Sequence, residues 1–542
     1  MVDKLFTSPL IFSIFSAILG AILWEVLKYL KYLVWNKLFI RKELTSQLNE
    51  INEISKSGDY INSLIEYNKL KDRINLKSFP DLFHQVQRGI GLCYLETALK
   101  NKQENEFRLA MRALQIAESG FALRSYRLVA GNFLKELKYP LELVKTYILL
   151  GVTFQGLAYV RDAENNLNQS IKYFTEAINL CDHMGLQSEL SEFYYKSYNN
   201  LGISYARLSD VREKNANLIK SIDYLKKSLE NCDKEKQSDN YSAVVIHIGN
   251  CYLNLSRVSN ELMYIKESIN LLSEELKRIE KNLDREISID GSYANVHRAL
   301  GNSKLKLAYY PGQDMVSTIE ESISHYNTAL RHTSQDEIYN LSELKNNIAL
   351  AYRALASVKD KKVNLDIAKS LFEEILPVFN LIDYPLNYAQ TIYHLGITNG
   401  ELSESDDNYD SKKSYSSESI AYFEEVIKIY TKDKFPIKHA DACNALATQY
   451  SIAAKIADSQ LNIQKMIELS DYVLSIITQS DDRFTYSKAL LNRGIGYLNK
   501  YKHHGQLNDK KIAEDDFNKV ITLLDNEKNN LYYEAQKYLG YL

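Results

Sequence analysis

Residues 199–205 read NNLGISY, and this stretch decides the fold because its glycine recurs in place down the chain. With Gly202 as anchor, equivalent positions are Gly91 (GIGLCY), Gly151 (LLGVTF), Gly249 (HIGNCY), Gly301 (ALGNSK), Ala349 (NIALAY), Gly396 (HLGITN), Ala447 (ALATQY), Gly494 (NRGIGY) and Gly540. Successive steps are 60, 51, 47, 52, 48, 47, 51, 47 and 46 residues, so one unit repeats through most of the chain;.

Other columns keep register with the anchor. Eight residues upstream stand Phe83, Leu143, Tyr194, Tyr241, Tyr293, Leu341, Tyr388, Tyr486 and Tyr532, with His439 as the polar exception. Three residues downstream stand Tyr94, Phe154, Tyr205, Tyr252, Tyr352, Tyr450 and Tyr497, with Lys304 and Asn399 as departures. Nineteen downstream, a second amphipathic run opens on Ala110, Ser170, Ser221, Ser268, Ala368 or Ala513, and a large apolar residue such as Phe174, Leu225, Leu272, Phe372 or Phe517 follows four later. These columns describe two antiparallel helices, A and B. A small anchor lets them approach closely, and aromatics a turn or two away fill the space beside it. One hairpin cannot bury both faces, so hairpins must stack into an all-α solenoid.

In Leu201-Gly202-Ile203-Ser204-Tyr205 the chain resembles the tetratricopeptide repeat family, whose helix A carries Leu-Gly and then Tyr three residues after the Gly. Ser221, Leu225 and Ser228 resemble that family's small–large–small helix B. The period departs from the family's usual 34 residues, lengthening both the A–B step and the links between hairpins. The resemblance implies a superhelix of helix pairs whose A helices line a concave, partner-binding face. It covers most of residues 43–542: about nine to ten pairs, a first hairpin over 43–74, an extended second unit, a polar A–B loop over 403–417, and a lone C-terminal capping helix.

Proline punctuates the pattern. Pro80, Pro140, Pro385 and Pro436 each lie eleven residues before an anchor and each follows Phe or Tyr. Proline has no N–H to lose in a first helical turn and disfavours helix in the residue before it, so it marks the start of helix A.

Residues 5–24, LFTSPLIFSIFSAILGAILW, carry no charge. A helix of that length spans roughly 30 Å, the hydrocarbon thickness of a bilayer. After a short tail (1–4), this segment reads as a single transmembrane helix. Trp24, Tyr29, Tyr32 and Trp35 suit the headgroup region that follows it;. Lys28, Lys31, Lys37, Arg41 and Lys42 make 25–42 a basic, amphipathic juxtamembrane segment and place the solenoid in the cytoplasm by the positive-inside rule;. An export signal is the competing reading, but EVLKYLKYLVW offers no small-x-small cleavage site;. Ser13, Ala17 and Ala21 sit four apart and allow two such helices to pack and self-associate;.

The net charge of −3 supplies no field for nucleic acid;. The five cysteines (Cys93, Cys181, Cys232, Cys251, Cys443) form no CxxC and read as small apolar fillers;. GxxxxGK[ST], HExxH and Cys/His clusters are absent, so no enzyme, metal or cofactor is expected;. One polar column remains. Two residues before the anchor stand Asn200, His247, Asn347, His394 and Asn492, and Arg207, Arg298 and Arg353 lie close in sequence to anchors. On a concave face these would present hydrogen-bonding groups and charge to a peptide or protein; otherwise they satisfy backbone and water. The expectation is a membrane-anchored scaffold or adaptor. The alternative is a stress or defence sensor whose membrane helix perturbs the bilayer.

Overall fold

The computed structural model describes residues 9–101, 103–130, 138–185, 190–256, 261–283, 291–310, 312–457, 459–525 and 529–542, and among these the regular structure is helical. Among the described residues twenty-one helices follow one another, in chain order ten successive pairs and a final single helix. They form two compact units, Met1–Thr153 and Phe154–Leu542.

The first unit begins with α1, Pro9–Lys56, followed by α2 (Tyr60–Arg73), α3 (Pro80–Asn101) and α4 (Glu104–Ala130). Leu44, Leu48 and Ile51 of α1 share a core with Tyr67, Leu70, Val86 and Ile90. Arg41 pairs with the buried Asp81 at 2.6 Å. From Ile22 to Ile40 the side chains of α1 are exposed: Trp24, Trp35 and Phe39 are 65, 66 and 69% exposed, and the leucines and tyrosines between them are exposed too. Residues 5–8 and the side chains of Ser13, Ala17 and Ala21 lie outside the described residues. At 27 residues, α4 supplies part of the long 60-residue step from Gly91 to Gly151.

The next helix, α5 (Lys138–Val160), bridges the unit boundary; α6 (Ala163–Met184) to α20 (Leu507–Leu524) complete the pairs, and α21 (Asn530–Leu539) ends the array. The A helices relevant below are α7 (Ser191–Leu208), α9 (Ser238–Leu255), α11 (Gly291–Leu307), α13 (Ile338–Ala356), α15 (Pro385–Ser405), α17 (Pro436–Ala453) and α19 (Arg483–His504). Pro80, Pro385 and Pro436 open α3, α15 and α17, and Pro140 lies in the first turn of α5.

The anchor does the work that its column implies. A Cβ on Gly202 would stand 2.6 Å from Leu225 Cγ, and one on Gly396 would stand 2.7 Å from Phe423. The serine column does more than stay small. Ser221, Ser268, Ser322 and Ser419 each donate to the carbonyl oxygen of their own anchor glycine at 2.8, 3.1, 2.7 and 2.6 Å. Ser322 and Ser419 come 21 and 23 residues after their anchors, which is why a fixed nineteen-residue offset misses those two copies. The aromatic column stacks across the pair, as Tyr205 does on Tyr224 at 5.5 Å.

The A–B turn has its own device. Asp162, Glu213 and Asp360, each eleven residues past an anchor, adopt positive φ (44, 46 and 45°) as helix B begins. Four residues later Asn166, Asn217 and Asn364 donate back to the carbonyls of Arg161, Arg212 and Lys359 at 2.6–2.8 Å. The bond holds a left-handed backbone that non-glycine residues rarely adopt. The expected loop over 403–417 is corrected: α15 runs to Ser405 and α16 (Tyr409–Ile429) starts soon after, so only residues 406–408 leave the helix. Asn408 caps the new helix through the Ser411 N–H.

All five cysteines are free and buried. Burial is the leading cause that lifts the thiols of Cys93 and Cys251 to about 11 and of Cys181 and Cys443 to about 12, leaving them protonated and inert;. The stretch Pro140–Val160 is long and apolar enough to cross a membrane, but as part of α5 it is mostly buried, and Leu143, Val144 and Leu150 are core residues.

Candidate functional site

The second unit turns back on itself. Lys434 Nζ, just before α17, donates to the Val160 carbonyl at 3.0 Å. Lys438 in the first turn of α17 lies 3.9 Å from Asp210. Lys214, at the start of α8 (Lys214–Glu230), pairs with Asp482, the N-cap of α19, at 2.9 Å; the two side chains are only 12 and 8% exposed. Asp482 accepts from the Phe484 and Thr485 N–H groups through its other oxygen. These contacts join α5–α8 to α17 and α19 and close the hairpins between them into one turn.

The A helices of this turn carry a polar cleft of about 430 Å³ lined by Asn250 and Asn254 of α9, Arg298 and Asn302 of α11, and Glu343 and Asn347 of α13. Ile246, Leu253 and Ala299 form its apolar part. Arg298 faces Glu343 at 3.8 Å. Asn302 also accepts from the Tyr326 hydroxyl at 2.7 Å, which fixes its amide. His247 is half-buried one residue from this lining; burial, and then Arg298, hold its imidazole below the usual histidine range and so neutral;.

The sequence candidates therefore divide. Arg298 and Asn347 line the cleft directly and His247 stands beside it. Asn200 donates to Lys196 O of its own helix at 2.9 Å. Arg207 is taken up by the fold: its Nη1 donates to Gln155 O at 2.7 Å, and its guanidinium lies 3.6 Å from the centre of the Tyr159 ring. Asn492 is buried and donates to Asn444 O at 3.0 Å, tying α19 to α17, so packing and not a groove explains it. His394 and Arg353 form a second group with Glu401 and Tyr309, farther along the A helices. Asn250, Asn254, Asn302 and Glu343 were not in the polar column. Their signal was the neighbouring stripe: Asn250 and Asn302 stand one residue after their anchors, three from the column and hence on the same helix face;. Among the described residues no group of His, Cys, Asp and Glu could hold a metal ion.

Fold and cleft together define a tetratricopeptide-like helical-repeat protein with a polar cleft on its A helices. No family model matches the chain, and no curated protein matches it by sequence. Similar solved structures include the apo form of RapI, 12% identical over 80% of this chain and 99% of that one, with a TM-score of 0.46. The apo form of the quorum sensor NprR from B. thuringiensis is 13% identical over 79 and 99%, TM-score 0.41. Yeast Tom70 is 12% identical over 92 and 95%, TM-score 0.35. The tetratricopeptide-like character rests on this chain's own recurrent hairpins.

Proposed function

We propose that this chain is a membrane-anchored scaffold that binds an extended polypeptide segment of a partner in the cleft of its closed turn, with the solenoid in the cytoplasm. One observation carries the reading: asparagine amides from α9, α11 and α13 meet in one cleft with the Arg298–Glu343 pair. An amide offers both donor and acceptor, which is what a peptide backbone needs and what a side-chain-specific pocket does not. Packed helices repeat at about 8–10 Å, close to the roughly 10 Å reach of three extended residues, so successive asparagines suit peptide groups about three residues apart. No nucleophile or acid–base pair lines the cleft, so binding without chemistry is the reading.

The anchor rests on the uncharged 5–24 segment and on the uncovered apolar residues through Ile40 of α1. The test uses the full chain in lipid nanodiscs and a fluorescein-labelled pool of mixed-sequence hexapeptides. Saturable polarisation should be lost in Asn250→Ala/Asn302→Ala/Asn347→Ala; equal binding by that variant, or none by the parent, refutes the cleft. The closing contacts favour a second reading, a sensor in which ligand occupancy opens the turn and signals through the membrane helix. Expressing residues 1–45 alone separates the two: an effector helix depolarises the cell, whereas a tether leaves membrane potential unchanged.

A further inference from the structure

Charge alternates along the first hairpin. Residues 25–42 carry five cations and one anion, residues 43–66 five anions and one cation, and residues 69–77 four cations and one anion. Packing turns this alternation into a polarity. The α2 helix runs back along α1: Tyr67 donates to Asn52 at 2.6 Å, and Arg73, the last residue of α2, reaches Gln47 at 2.7 Å and Glu43 at 2.8 Å. The link from α2 to α3 therefore lies beside the middle of α1, where Lys37 Nζ stands 6.0 Å from the centre of the Phe79 ring and Arg41 pairs with Asp81. Two basic segments far apart in sequence thus meet at the end of the hairpin that faces the N-terminal half of α1. The acidic stretch takes the other end.

The basic end is apolar too. Lys42, Lys69 and Lys77 are exposed, and so are Leu38 and Phe39 of α1 and Leu76 of the link. The Lys69–Glu66 pair within α2 is exposed, so it holds Lys69 only weakly;. Cations interleaved with apolar side chains suit an anionic membrane interface, which offers both a negative potential and a place for apolar groups. Nucleic acid offers the charge alone on its backbone.

Reach decides how α1 sits. Upright, a helix rising 1.5 Å per residue would hold Ile40 about 24 Å beyond Trp24, outside the roughly 8–10 Å over which a charged surface acts at physiological salt. The side chains favour a leaning helix. Leu23, Leu27, Leu30 and Val34 recur at steps of three and four and share one exposed face, with Glu25, Lys28 and Tyr32 opposite;. Laid into the interface, that leucine face brings the basic end down to the headgroups.

We propose that the basic end of the first unit docks on anionic lipid headgroups of the membrane that the 5–24 segment enters, through Lys37 and Lys42 of α1, Lys69 and Lys71 of α2, and Lys77 of the link; this rests on the anchor reading above.

The experiment uses the full chain in nanodiscs of phosphatidylcholine, with or without about 30 mol% phosphatidylserine, and an environment-sensitive dye on Leu76→Cys; the five native cysteines are buried;. In the anionic discs the emission should shift to the blue and quenching by a headgroup nitroxide should rise at least about twofold, both effects being lost in high salt. Lys69→Gln/Lys71→Gln/Lys77→Gln should lose them at low salt, whereas Lys56→Gln, in the acidic stretch, should keep them. Emission that ignores lipid charge, or an equal loss in Lys56→Gln, overturns the docking face. A shift produced in neutral discs by a single-stranded oligonucleotide, with none from phosphatidylserine, overturns it in favour of nucleic acid. A chain that enters the discs without responding leaves the anchor standing; one that does not enter them overturns both.

Discussion

The closing contact between Lys214 and Asp482 allows a quantitative test of the turn. Repeat arrays are held by neighbour-to-neighbour interfaces, so a bond between segments 268 residues apart adds a term that a linear array lacks;. The pair is nearly shielded from water, and removing one partner of a buried ion pair generally costs about 3–5 kcal/mol. Here the cost should be lower. Asp482 keeps two backbone N–H donors after Lys214→Met, so about 2–3 kcal/mol is expected;. Asp482→Asn preserves the helix cap, because Asn caps as well as Asp, and removes only the charge. The outer Lys438–Asp210 pair, whose side chains are 41 and 49% exposed, should contribute at most about 1 kcal/mol;. Urea unfolding of the full chain, with hydrogen exchange read at residues 209–214 and the first turn of α19, measures both effects. The Lys214→Met/Asp482→Asn double variant should cost less than the sum of the singles by at least about 1 kcal/mol. Additive singles of under about 0.5 kcal/mol each would refute the closed turn as a stabilising feature.

Three further outcomes are expected. Gly202→Ala should destabilise by about 1–3 kcal/mol, and more than Gly249→Ala, because the added methyl meets Leu225 at 2.6 Å but Leu272 only at 3.2 Å;; equal urea midpoints for the two variants would count against anchor packing. Acid should weaken the fold through His297 and His394, whose pKa values burial, helped by neighbouring cationic groups, lowers to about 4 and about 3. Their contribution is full above the unfolded value of about 6.5 and erodes below it, because the unfolded chain takes up protons that the fold refuses. The pair together should lose roughly 2–4 kcal/mol by pH 5, and His297→Gln should reduce that loss; an unchanged pH 7-to-5 difference in urea midpoint would contradict it. Finally, the chain should resist carbonate extraction from membranes, and deletion of residues 1–24 should release it; a full-length chain extracted by carbonate would argue against the anchor.

Much of the architecture was legible because it is periodic. A glycine that only a close helix approach explains, recurring at near-equal steps, gave the hairpin and its register. The proline–aromatic pair gave the start of helix A. What escaped the columns depended on loop length: Ser322 and Ser419 sit on the same carbonyl-donating position as Ser221 but two and four residues later. The A–B turn escaped because its signal, an Asn four residues after a left-handed Asp or Glu, gains meaning only when the bond back to the turn carbonyl is seen.

The candidate site was legible in part. The repeat column singled out Asn347 and closeness to an anchor singled out Arg298, both of which line the cleft; their neighbours were missed, since a single column samples only one residue of each helix's stripe. Nothing local separates Asn347, which lines a cleft, from Asn492, which holds two helices together. Nor does anything local separate Arg207, satisfied by a carbonyl and a ring, from Arg353, which has a buried N–H without an acceptor. By itself the sequence determined the repeat, the pairing of helices and the apolar N-terminal segment, because these follow from spacing within about fifty residues. Only the tertiary structure decided which polar groups are spent and which are free, and that Lys214 meets Asp482. Both depend on how small per-repeat rotations add up over several hairpins, a sum that no single repeat encodes.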